Sequence, residues 1–212
     1  MDQRDVVTFT EAILQVSGHV CAFFHDRDEE YDVLLPFIAE GIEQGDKAFH
    51  ILDPELLSDH LARLEKAGID LNAAAARGQL EVRSWHDVHL RRGHFDQDAV
   101  LSFVEAALRD GKGQGFRLTR LLGHMEWALE DRPGVRNLVE YEARLNDVLR
   151  GYDDPVICVY DLAKFGAALA IDVLRTHPMV IIGGLIQRNS FFMPPDEFLR
   201  NSRQRRVRDG QV

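Results

Sequence analysis

Short apolar runs alternate with helix-periodic stretches from residue 20 to residue 182, and this alternation constrains the fold more than any other feature. The runs at 20–24, 48–52, 156–160 and 179–182 have the length and content of buried strands, while 80–85 and 116–122 read as strands in which polar and apolar residues alternate. Between them, residues 31–43 place Leu34, Leu35, Ile38 and Ile42 at helical spacing, and 96–109 do the same with Val100, Phe103, Val104 and Leu108. Asp53 and Pro54 suit the N-cap and first turn of a helix that carries Leu57, Leu61 and Leu64 to a stop at Gly68. Further helices are expected at 135–149 and 165–174, with a fragment at 73–76, and Gly183-Gly184 closes the last clear strand. Strands joined by helical crossovers imply a mostly parallel sheet covered on both faces, a three-layer α/β fold.

The 212 residues, 45% hydrophobic, suffice for one domain with a full core. The expected division is a lead at 1–16, a domain at 17–200 and a disordered basic tail at 201–212. A net charge of -10 opposes binding of nucleic acid by the main domain. Basic residues gather only at Arg200, Arg203, Arg205, Arg206 and Arg208. Cys21 and Cys158 lie inside apolar runs, as buried free thiols in a reducing compartment would. The N-terminus has no signal-peptide character, and no run approaches the roughly 20 apolar residues of a membrane span. A cytoplasmic protein without membrane contact is expected.

In open parallel sheets, ligands bind beyond the carboxyl ends of the strands. The residues expected there are Phe24, His25, Asp26 and Arg27, then Asp53, then Arg117, Arg120, Glu126 and Trp127, then Tyr160 and Asp161, and last Gly183, Gly184 and Asn189. Such an aromatic and charged rim suits a small organic molecule. The loop after the first strand, Phe24 to Glu30, has no glycine and no Gly-Lys-Ser/Thr, while Asp26, Asp28, Glu29 and Glu30 would repel a triphosphate. The glycines at 111–115 follow a helix and precede a strand, the reverse of the dinucleotide fingerprint, and read as a helix stop and turn. His86, His89 and His94, with Asp87 and Asp96, form a weak candidate for a metal site. No Gly-x-Ser-x-Gly elbow occurs, and Glu126 and Glu142 have no feature that sets them apart as general bases. No cofactor is called for.

Several segments together resemble the MEDS family, the methanogen/methylotroph, dichloromethane-repressor-type sensory domain. They are Gly18-His-Val-Cys-Ala-Phe-Phe, Pro36-Phe-Ile-Ala-Glu-Gly41, the strand around Phe49, Phe116-Arg-Leu-Thr, Met125-Glu-Trp-Ala-Leu129 and Tyr141-Glu-Ala-Arg-Leu-Asn146. Cys158-Val-Tyr-Asp161, Thr176-His-Pro178, Asn189-Ser-Phe-Phe192 and Pro194-Pro195 follow in the same order. The resemblance spans about residues 18–199 and implies a RecA-like fold, of the circadian-clock ATPase type, that has lost its phosphate loop. It further implies a sensor of small organic compounds whose functional positions are His19, Arg117, Glu126, Trp127, Tyr160, Asp161 and His177. Other roles stay open: Trp127 as core, Arg117 with Glu126 as a buried ion pair, Glu142 with Arg144 as a helix-surface pair, and His177 as a turn residue. Because the lead is short for a helix-turn-helix and no kinase follows, signalling is expected through a separate histidine kinase, anti-sigma factor or transcription regulator, with a homodimer also open. The competing expectations are a metal- or nucleotide-dependent hydrolase and a RecA-like interaction scaffold that binds no ligand.

Overall fold

The computed structural model describes residues 18–208, so the lead at 1–16 lies outside the described residues. The sheet has seven strands in the order β3-β2-β4-β5-β1-β6-β7. These are β1 (His19–Phe24), β2 (Lys47–Leu52), β3 (Leu80–Ser84), β4 (Thr119–His124), β5 (Val156–Asp161), β6 (Met179–Ile182) and β7 (Leu185–Arg188). All neighbours are parallel except β7, which returns antiparallel on β6. The helices are α1 (Arg27–Glu43), α2 (Leu57–Lys66), α3 (Leu71–Ala76), α4 (Trp85–Val88), α5 (Gln97–Gly113), α6 (Leu138–Leu149), α7 (Ala167–Leu174) and α8 (Pro195–Arg208).

The two-residue period of the strands divides the core into two layers. Val20, Ala22 and Phe24 of β1, with Ile157 and Val159 of β5, pack on Leu34, Phe37, Ile38 and Leu64 of α1 and α2. Cys21 and Phe23, with Val156, Cys158 and Tyr160, face α5, α6 and α7 through Leu108, Tyr141, Leu145 and Val173. Cys21 and Cys158 are register partners on adjacent strands, and both are buried free thiols. Helix starts follow the expected capping chemistry. Asp53, Asp70 and Asp96 each accept a backbone N–H from the first turn that follows.

Four local expectations are corrected. The strand expected at 116–122 runs from Thr119 to His124, because Gly115 turns the chain with φ of 93° and the Asp154 carboxylate accepts the Thr119 N–H. Trp85 opens α4 instead of ending β3, since Ser84 Oγ accepts the His86 N–H. The stop and turn read at 111–115 hold, with α5 ending at Gly113 and Gly115 turning the chain, and a side chain at 111 would collide with Thr119 Oγ1. Gly183 and Gly184, at φ of 56° and 72°, form the turn of a β6–β7 hairpin and so lead into one strand more than the apolar runs marked. At the C-terminus, the segment from 201, expected as disordered, continues α8 through residue 208. Asp196 and Glu197 in the first turn complement the dipole of that helix.

Candidate functional site

The most concentrated polar group in the core lies between β1, β5, α6 and the start of β6. His19 opens β1, and His177 stands two residues before β6, so both sit at the amino edge of the sheet. Cys158 and Tyr160 share the α6-facing side of β5. Glu142 and Asn146 lie one turn apart on α6, within its buried stripe of Leu138, Tyr141, Leu145 and Leu149. His19, Glu142 and His177 have no exposed surface, and Cys158 has 4%.

Glu142 organises this centre. Its Oε1 accepts the Tyr160 hydroxyl proton at 2.5 Å. Its Oε2 lies 3.3 Å from His19 Nε2, 3.5 Å from His177 Nε2 and 3.6 Å from Cys158 Sγ. Burial opposes the carboxylate charge. His177 and the hydrogen bonds from His19 and Tyr160 outweigh it, leaving the group at about 2. His177 is itself pushed down to about 3 by burial and by His19 beside it, so its ring is neutral at pH 7. The hydrogen bonds are therefore the main support of the Glu142 charge. Burial and the neighbouring carboxylate push the Cys158 thiol and the Tyr160 hydroxyl well up.

The outer bonds fix both histidine tautomers. Asn146 Nδ2 donates to the carbonyls of Glu142, Ala143 and Thr176 at 2.8–3.1 Å, which turns its Oδ1 toward His19 Nδ1 at 3.1 Å. An amide oxygen requires a proton on that nitrogen. His177 Nδ1 donates to Val173 O at 2.9 Å. The neutral His177 therefore points the lone pair of its Nε2 inward, where it has no hydrogen-bond partner, while His19 turns its Nε2 to Glu142 Oε2 and Cys158 Sγ. Asn146 also borders a cavity of about 480 Å³ at the amino edge, lined by Arg150, Pro178, Arg188, Asn189 and Phe192.

A second buried chain occupies the opposite face. The Tyr31 hydroxyl meets His60 Nδ1 at 2.5 Å, and His60 Nε2 meets His50 Nδ1 at 2.9 Å. His124 Nε2 lies 2.9 Å from Glu30 Oε1. Burial lowers His60 to about 3 and His50 well below its usual value. Burial also disfavours the His124 charge, but Glu30 outweighs it and raises that ring.

Of the residues expected to bind ligand, His19, Tyr160 and His177 come together in the first centre. Glu126 and Asp161 meet through Lys164 Nζ, 3.5 Å from each, at the carboxyl edge. His25 is exposed beside Glu29. Phe24 is core under α1. Trp127 is core too, stacked on His89 with ring centroids 4.5 Å apart and touching Phe95 and Tyr141. Arg117 precedes β4 and is 55% exposed, paired with Asp46 at 2.9 Å. Two pairings are thereby corrected: Arg117 bonds Asp46 while Glu126 bonds Lys164, and Glu142 is internal while Arg144 reaches Asp98. The loop histidines do not converge as metal ligands. His89 is buried against Trp127, His86 is exposed, and among the described residues the donor atoms that converge are those of His19, Glu142, Cys158 and His177. Cys158, which reads in sequence as a small hydrophobe, and Glu142 are the members the sequence hid. The legible signal was an acid on the apolar stripe of α6, with Asn146 one turn on.

A mostly parallel seven-stranded sheet between two helical layers, with an acid-capped loop in the phosphate-loop position, defines a RecA-like fold without a Walker A loop. The chain is similar in fold to a KaiC-like protein from Pyrococcus horikoshii OT3, with a TM-score of 0.54, 15% identity, and coverage of 77% of this chain and 70% of that one. The family model of the MEthanogen/methylotroph, DcmR Sensory domain matches residues 18–178, and the chain belongs to this MEDS family. It is 27% identical over 161 residues to the transcriptional repressor DcmR of Methylorubrum extorquens, a match that takes in 75% of this chain and 57% of that protein.

Proposed function

We propose that this domain is a sensor that binds a small organic molecule and passes the event to a transcription regulator, histidine kinase or anti-sigma partner, without catalysing a reaction. The family supports a sensory and regulatory role, and the similarity to a transcriptional repressor supports a regulatory output. The observation that carries the ligand reading is Asn146, whose side chain both fixes His19 in the buried centre and borders the 480 Å³ cavity. A molecule in that cavity would touch the segment 189–194 and report to the core through a single amide. Nucleotide binding is disfavoured. The N-terminus of α1, which would cradle phosphates, is already occupied: Asp26 accepts the Glu29 N–H, and Asp28, Glu29 and Glu30 fill the first turn.

The carboxyl edge is a second location, favoured by Glu126 Oε2, a buried oxygen without a hydrogen-bond partner. Thermal-shift screening with small halogenated, methylated and hydroxylated organics tests the reading, since a ligand that binds the folded state raises Tm. At least one class should do so in the wild type. Loss of the shift in Asn146→Ala assigns the amino-edge cavity, and loss in Glu126→Gln assigns the carboxyl edge. Absence of any shift across all classes, or tight binding of ATP with magnesium, removes the sensor reading.

A further inference from the structure

We infer that His19, Glu142, Cys158 and His177 form a binding site for a divalent transition metal ion of the zinc type, built into the core between β1, β5 and α6. The inference goes beyond the sensor reading and holds whether or not the cavity takes an organic ligand.

The spacing of the donors is the first argument. Tetrahedral zinc holds nitrogen and oxygen at about 2.0–2.1 Å and sulfur at about 2.3 Å, which places N and O about 3.3 Å apart and S about 3.6 Å from either. Here Glu142 Oε2 lies 3.3 and 3.5 Å from the two imidazole Nε2 atoms and 3.6 Å from Cys158 Sγ, and Sγ lies 3.7 Å from His19 Nε2. The nitrogen–oxygen separations exceed the 2.7–3.2 Å range usual for N–H···O hydrogen bonds. All four donor atoms lie within 4.8 Å of one another.

The outer shell is the second. Three of the four ligands have one polar atom tied outward and one left facing the centre: His19 through Nδ1 to Asn146, His177 through Nδ1 to Val173 O, and Glu142 through Oε1 to Tyr160. Metal-binding histidines characteristically donate their other ring N–H in this manner, which orients the ring and fixes the tautomer. The fully buried His177 Nε2 has no hydrogen-bond partner and is aimed at the same point. A fully buried nitrogen left unpaired is costly, and a cation would satisfy it.

Charge and donor type narrow the ion. One carboxylate and one thiolate neutralise a divalent cation, so the occupied site adds no net charge to the core. The Cys158 thiol proton is released to solvent on binding. A thiolate with two imidazoles selects zinc-type ions over magnesium or calcium, which take oxygen ligands. All four positions come from protein, as in structural rather than catalytic zinc sites.

The test uses the full chain, stripped with chelator under reducing conditions and titrated with zinc or cobalt(II). One equivalent should bind and raise Tm. Cobalt should give visible bands of tetrahedral strength together with a near-ultraviolet thiolate-to-cobalt band. Cys158→Ser should lose the near-ultraviolet band, His177→Ala should weaken affinity by at least tenfold, and Asn146→Ala should weaken it by about 10–100-fold as an outer-shell change. His86→Ala and His94→Ala should bind as the wild type does. Folded wild type that takes up no stoichiometric metal, or cobalt bound without a thiolate band, overturns the site. That second criterion needs no variant to fold. Cobalt spectra that Cys158→Ser and His177→Ala leave unchanged overturn it as well.

Discussion

Two arginines three residues apart have opposite fates. Arg120 is 3% exposed, and its guanidinium bonds Asp46, Phe37 O and Glu40, whereas Arg117 reaches the same Asp46 from solvent. Removing Asp46 takes the buried carboxylate from Arg120 and leaves the longer contact to Glu40, so Asp46→Ala should cost up to about 3–5 kcal/mol in urea unfolding. Arg117→Ala, an exposed pairing, should cost less than about 1 kcal/mol. Comparable losses for the two would contradict the burial asymmetry. Gly134 is a second residue-level test: its φ is 87°, and a side chain there would collide with Phe95 O beneath the Trp127 stack. Left-handed backbone alone costs a non-glycine residue about 1–2 kcal/mol, and the collision adds to it. Gly134→Ala should therefore lower stability by at least that amount and change Trp fluorescence.

The elements differ in how openly the sequence announced them. The alternation of runs located β1, β2, β5 and β6 because central strands buried on both faces read as unbroken apolar stretches. It misplaced β4 because Phe116-Arg-Leu-Thr-Arg alternates like a half-exposed strand. Pairing with β2 and β5, which no local pattern encodes, sets the actual limits. β7 stayed hidden because Leu185–Arg188 is short and largely exposed, although Gly183-Gly184 carried a hairpin signal. The site was legible only in part. His19 and His177 came from family likeness and Tyr160 also from its place on a strand, while Glu142 was read as a surface acid because its neighbour Arg144 suggested a pair. Placed on the helical wheel, the two residues point to different sides: Glu142 toward β5 and Arg144 toward Asp98 on α5. α1 supplies a prediction at this scale. Its N-cap bond from Glu29 N to Asp26 is 2.9 Å, so Asp26→Ala should cost about 1 kcal/mol. It should not create affinity for ATP, because the acidic first turn remains. Calorimetry with ATP and magnesium checks the second point.

At the scale of the molecule, the histidines enclosed in the core set the acid limit. His50, His60 and His89 are lowered by burial, the last two to about 3. Each folded-state value lies below the roughly 6.5 of an unfolded histidine, so the unfolded chain takes up protons first as pH falls. Their contribution is complete above about 6.5 and is lost progressively as pH falls toward each folded-state value, at up to about 1.4 kcal/mol per pH unit for each ring. His124 has the opposite sign: Glu30 raises it, so its contribution is complete below about 6.5 and fades as pH climbs through the folded value. Glu30, held low against its burial by His124, Arg27 and Arg63, adds stability that acid removes only below the ordinary carboxylate range. With His177, also at about 3, four rings against one leave a net loss, and the fold should weaken steadily from pH 6.5 downward, while above it only the His124 contribution fades. The Tyr31–His60–His50 chain is the place to test this, because it lies across the sheet from Glu142 and its partners. His60→Gln keeps a polar group near Tyr31 and His50 but cannot titrate. Urea unfolding from pH 7.5 to 5.0 should show its slope against pH reduced by about one proton relative to wild type. Parallel pH profiles for the two proteins would mean that His60 takes up its proton as readily folded as unfolded and that the buried chain does not stay neutral on acidification.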